Sequence, residues 1–121
     1  MSDTAKQDLP FIKFYTGDYR RLTVALSPAE KGAFMQLFVY FWDTGKPTPD
    51  RDSLLAQIVG CSVKEWQKMK PSLIEARFEV RDGMWRHPFF EYHREKTAAD
   101  HAKNVERARK AANARYQKGG A

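Results

Sequence analysis

Residues 49–86 read PDRDSLLAQIVGCSVKEWQKMKPSLIEARFEVRDGMWR, and the stops and starts in this stretch decide the fold. Pro49-Asp50 opens a short helix through Leu54, Leu55, Ile58 and Val59, and Gly60 is a left-handed cap that ends it. Just beyond, Ser62-Val63-Lys64-Glu65 forms a capping box, in which the Ser hydroxyl and the Glu carboxylate each accept from the other residue's backbone amide. A further helix therefore starts at Val63, and two helices separated by about three residues and a Gly make a helix-turn-helix candidate. Its expected inward stripe is Val63, Trp66, Met69, Leu73 and Ile74, which leaves Lys64, Gln67 and Lys68 outside; Pro71 is expected to kink or restart it. From Phe78 the period becomes strand-like. Phe78-Glu79-Val80 and Met84-Trp85-Arg86 flank Arg81-Asp82-Gly83, and Asp-Gly between two short alternating runs predicts a hairpin.

Upstream, Ser27-Pro28-Ala29-Glu30 is a second capping box with Pro at the first helical position. Phe34, Leu37, Phe38 and Phe41 follow at helical spacing as a buried face, and Gly45 with Pro47 provides the stop. Met35, Val39 and Trp42 lie off that face. A helix apolar on more than one side must be covered by other elements or by a second copy, so a homodimer is expected if the chain does not cover it. Phe11–Tyr15 suits an edge strand that adds a third strand to the hairpin, Asp18–Ala25 one loose helical turn, and residues 1–10 a flexible leader. Helix, short helix, helix, hairpin is the order of a winged helix. The fold class is then mainly α with a small β-hairpin (α+β): a winged helix-turn-helix over 11–88, a long C-terminal basic helix over 89–118, and a flexible end at 119–121.

A chain of 121 residues supplies one domain, and 42% apolar residues suffice for a core, which excludes wholesale disorder. Cys61 is alone, so no intramolecular disulfide forms and a reducing compartment is the easier reading. The polar leader and the interruption of the apolar run Ala33–Trp42 by Gln36 argue against export and membrane spanning, hence a cytoplasmic protein. The net charge is +6, and its location matters more than its size. From Lys103 to Lys118, the cations Lys103, Arg107, Arg109, Lys110, Arg115 and Lys118 face a single anion, Glu106. At about 100° per residue, Lys103, Arg107, Lys110 and Lys118 occupy an arc of about 80°, opposite Ala98, Ala102, Val105, Ala112 and Tyr116. An amphipathic helix with a cationic stripe points to a polyanion, and nucleic acid is the first candidate.

No catalytic constellation is legible. His87, His93 and His101 lack the i, i+4 pairing that places two imidazoles on one metal. Cys61 lies beside the helix start at Ser62, which would lower its thiol pKa; the plainer reading is a small residue packed in the turn. No phosphate-cradling Gly-rich loop or nucleophile elbow occurs, so neither enzymatic activity nor a cofactor is expected. The candidate nucleic-acid contacts are Lys64, Gln67 and Lys68 in a major groove, Arg81 and Arg86 on backbone from the hairpin, and Lys103, Arg107, Lys110, Arg115 and Lys118 as sequence-independent charge. Their plain alternative is a solvated charged face. Phe34, Phe38, Phe41, Trp42, Trp66 and Trp85 are most simply core rather than a base-stacking platform.

The combination of Phe14-Tyr15, Gly17-Asp18-Tyr19, Thr23, Leu26-Ser27, Glu30, Gly32-Ala33, Trp42, Gly45, Pro47 and Pro49-Asp50, continued by Trp66, Pro71, Phe78, Gly83, Trp85 and Ala114-Arg115-Tyr116, resembles the YdaU-like proteins of phages and prophages. Tyr116 departs from the pattern, where Trp is commoner. The resemblance spans residues 10–117 and implies a winged-helix domain ahead of a variable C-terminal part, encoded in phage replication regions. It implies replication initiation or replisome organisation in the bacterial host cell, with host or phage replication proteins as partners; the major-groove reading of Lys64, Gln67 and Lys68 favours duplex DNA over single strands. The reading is a DNA-binding protein without chemistry of its own. The alternatives are an adaptor that binds a host protein through the same fold, and a transcriptional regulator; steep salt dependence of DNA binding separates the first of these from a DNA binder.

Overall fold

The computed structural model describes Leu9 and residues 11–119, with side chains as far as Tyr116. The expected leader at 1–10 and the end at 119–121 fall almost wholly outside these residues. In chain order the elements are α1 (Thr16–Thr23), α2 (Pro28–Thr44), β1 (Thr48–Pro49), α3 (Asp52–Val59), α4 (Val63–Glu75), β2 (Glu79–Arg81), β3 (Met84–Arg86) and α5 (Pro88–Gly119). The molecule is mainly helical with one small antiparallel sheet, ordered β1-β3-β2.

Local chemistry sets the helix ends. Ser27 Oγ accepts from the Glu30 amide and Glu30 Oε1 from the Ser27 amide, and Ser62 and Glu65 repeat the arrangement. Gly45 (φ 71°) and Gly60 (φ 91°) close α2 and α3 in the left-handed region, donating to the Phe41 and Ala56 carbonyls. Asp82 (φ 55°) and Gly83 (φ 72°) make the two-residue turn that matches strand twist, and register follows: Val80 pairs with Trp85, Arg81 with Met84.

Several expectations are corrected. Phe11–Tyr15 is not a strand. Its aromatic rings cover the core instead, Phe14 lying 5.1 Å from Tyr19 and 6.4 Å from Phe38, and the Phe11 carbonyl accepts from Trp42 Nε1 at 2.9 Å. The third strand is β1, where Thr48 pairs with Trp85 and Pro49 with Met84; Pro49 is thus sheet rather than helix start, on an edge where its missing amide costs little. Asp18–Ala25 is not a single turn, because α1 spans eight residues. Pro71 does not restart the helix: α4 runs through it as one element, with Trp66 and Leu73, both fully buried, on its two sides. The inward stripe of α4 is also narrower than expected, since Val63 and Ile74 are 41% and 43% exposed.

Aromatic rings fill the core. Phe34 meets Phe78 and Phe90 edge-on at 5.6 and 5.3 Å, and Trp66 lies 5.3 Å from Trp85. Trp42 is covered within its own chain, by Phe11 and by Arg94, whose Nε donates to the Trp42 carbonyl at 2.6 Å. Phe90, Arg94, Thr97 and Ala98 bury the first part of α5 in this core. No helix among the described residues is long and apolar enough to cross a membrane.

Candidate nucleic-acid interface

Two tryptophans and two carboxylates fix the outer face of α4 relative to the hairpin. Trp85 Nε1 donates to Asp50 Oδ1 at 2.6 Å, Trp66 Nε1 to Asp52 Oδ1 at 3.0 Å, and Lys70 Nζ reaches both carboxylates at 3.2 Å. Hydrogen bonds from Gln67, then Lys70 and Trp66, hold the Asp52 carboxyl below its ordinary value. Burial pulls the Lys70 ammonium down, but Asp52 and Asp50 together outweigh it and raise the net value. The Asp50 amide also donates to the Gly83 carbonyl at 2.9 Å, tying the hairpin tip to the same corner.

Lys64, Gln67 and Lys68 are exposed together on α4, as the helical period requires. Gln67 is less free than its exposure implies, because its Nε2 donates to Asp52 Oδ2 at 3.2 Å. Arg81 is exposed on β2. Arg86 is engaged instead: its guanidinium pairs with Glu91 at 2.8 Å, and that hydrogen bond with its charge raises the Arg86 pKa.

The last helix divides in two. It is a single element of 32 residues, about 48 Å long at 1.5 Å per residue. From Ala102 to Tyr116 every residue except the half-buried Glu106 is exposed, so this half stands clear of the core. Lys103, Arg107, Lys110 and Arg115 are all on it and exposed; the side chain of Lys118 lies outside the described residues. Arg109 folds back onto Glu106 at 2.6 Å. Val105 and Tyr116, on the side opposite the cations, are 53% and 83% exposed. The structure does not bring the α4 cations and the α5 stripe into one contact cluster; they are separate surfaces.

Among the described residues no group of three or more His, Cys, Asp or Glu is placed to hold a metal ion. His87 is buried, with Nε2 3.0 Å from the Ala76 carbonyl, and burial pushes its pKa down to about 4. Cys61 is half-buried against the core, as its plainer reading expects, and burial, with the charge of Glu65, raises its thiol pKa. Sequence reasoning missed Asp52 as the residue that restrains Gln67, and Arg94, a buried guanidinium bonded to backbone. Only tertiary placement reveals either.

Comparison with known proteins gives a family and little chemistry. A family model described as a protein of unknown function (DUF1376) matches residues 10–95, which takes in α5 as far as the buried Phe90 and Arg94 but stops short of the buried Thr97 and Ala98 and of the exposed cationic half. The chain is similar to an uncharacterized protein, YdaU, of Escherichia coli (strain K12), with 39% identity over 67 residues. That alignment takes in 55% of this chain and 23% of the relative, so the matched region spans about a quarter of the relative's length. No solved structure matches.

Proposed function

The chain belongs to the DUF1376 family, whose function is unknown, and we propose that it is a winged-helix DNA-binding protein of phage type, acting in replication initiation or organisation without chemistry of its own. The observation that carries this reading is the exposed half of α5. Lys103, Arg107 and Lys110 stand exposed on one side of the helix, and among the described residues none of the three is ion-paired, so they meet a phosphate backbone without first breaking such a pair. The α3–α4 pair followed by the β2–β3 hairpin supports the winged-helix part, with Lys64 and Lys68 as phosphate contacts and Gln67 as a side chain whose amide pairs with an adenine edge. Arg86, neutralised by Glu91, contributes less than Arg81.

Binding to duplex and single-stranded DNA, titrated with salt, tests the class. Affinity should fall steeply with salt, with duplex bound more tightly. Changing Lys103, Arg107, Lys110 and Lys118 to Gln should weaken all duplexes alike and reduce the slope of log K against log salt by up to about 3 to 4 units. Salt-indifferent, negligible DNA binding would replace this reading with the adaptor.

A further inference from the structure

Two surfaces are left uncovered by the described residues. The first is a groove along the outside of α2. A cleft of about 580 Å³, lined by Gly32 and Met69 among others, shares Gln36 with a second cleft of about 530 Å³ that Val39, Leu54 and Ile58 line. A Cβ added at Gly32 would meet nothing within 4 Å, so the groove floor is open there. Its α2 wall runs from Ala29 to Asp43, roughly 21 Å of helix. The second surface is the seam of exposed α5, where Ala102, Val105, Arg109, Ala112 and Tyr116 recur at alternating spacings of three and four. From Ala102 to Tyr116 it too measures roughly 21 Å.

We propose that the protein forms a symmetric dimer in which the exposed half of α5 from each copy lies in the α2 groove of the other. The tail does not reach its own groove by folding back: α5 is one helix with neither Gly nor Pro from Phe89 to Lys118. Pairing of two tails is disfavoured by charge. Arg109 is the midpoint of the seam, so full overlap in either direction places Arg109 opposite Arg109. The groove instead presents Asp43 towards one end and Glu65 towards the other, against the single cation Lys68. Small residues on both sides allow close helix approach, and exchange between copies gives a closed two-fold assembly. The cationic stripe, opposite the seam, then faces outward. This inference does not rest on DNA binding, and the two meet at Lys68, which lines the groove and is also a proposed phosphate contact.

Cys61 lines the groove and serves as a native handle. Unmodified protein is mixed with Cys61→Ala variants carrying either Ala102→Cys or Ala112→Cys, which covers both directions of the helix in the groove, and is treated with a flexible bismaleimide. A crosslinked dimer pairing the two different chains is expected. Absence of that product from both mixtures, or equally strong crosslinking of a tail-cysteine variant with itself, overturns the proposal. Sedimentation of the unmodified chain should show a dimer at micromolar concentration, and a monomer there overturns it as well. Gly32→Trp fills the groove and should raise the dimer dissociation constant at least about tenfold. If that variant misfolds, the crosslinking result decides alone; a folded Gly32→Trp protein that dimerises as before counts against the groove.

Discussion

His87 carries the clearest linkage between pH and stability. Its ring stacks on Phe90 at 3.8 Å and meets Phe78 edge-on at 4.7 Å, and burial favours the neutral form down to about pH 4. The unfolded chain takes up that proton near pH 6.5, so it binds more protons than the folded chain between pH 6.5 and 4. Stability present above pH 6.5 is therefore lost across that window, at about 1.4 kcal/mol per pH unit. His87→Phe keeps the stacking but gives up the bond to Ala76, so it should cost about 1 kcal/mol at neutral pH and flatten the window. Denaturant melts at pH 4.5, 5.5 and 7 measure this, and an unchanged slope would mean that another group titrates there. Asp52 works lower: its folded pKa is depressed from 3.8, so its stabilisation is lost as pH falls below that value. Trp66 is fully buried against Trp85 and bonded to Asp52, so Trp66→Ala should destabilise by roughly 3 to 5 kcal/mol in the same assay. A variant that melts like the parent would contradict its place in the core.

What was legible in the sequence was what a few consecutive residues decide on their own. The Ser27–Glu30 and Ser62–Glu65 boxes, the glycine caps at 45 and 60 and the Asp82-Gly83 turn are all where their chemistry predicts. Phe11–Tyr15 failed because aromatic residues satisfy strand propensity and ring packing equally well, and only the position of Phe38 and Trp42 decides between them. Thr48–Pro49 was invisible as a strand, because two residues carry no alternation and Pro argues against one. The candidate interface divides in the same way. Charge is a property of the residue and was read directly; pairing is not, and Arg86 with Glu91 or Gln67 with Asp52 required the tertiary fold. The restraint on Gln67 sharpens one expectation at this scale. An amide held in place should read one position, so Gln67→Ala should erode preference among duplex sequences by roughly 1 to 3 kcal/mol there, measured by competition binding. If no preference changes, α4 is not the reader.

At the scale of the whole molecule, the buried core and the exposed cationic stripe occupy different parts of one chain. Among the described side chains, every buried residue of α5 lies at or before Ala98, whereas the stripe begins at Lys103. A chain ending at Ala102 should keep its unfolding free energy within about 0.5 kcal/mol when compared at dilute, monomeric concentration, yet lose most of its DNA affinity. Melting and binding measured on the same preparation check this, and a large loss of stability would mean that the exposed half is packed after all. The two parts are joined by uninterrupted helix, so they are also coupled in azimuth. Each residue between Ala98 and Lys103 sets about 100° of rotation about the axis, which makes chain length here a torsional coordinate. One residue more or fewer would swing the stripe by more than a quarter-turn with every side chain kept, whereas seven would return it to within about 20° of its original bearing. The direction in which the cations leave the core is thus written in a residue count rather than in any contact.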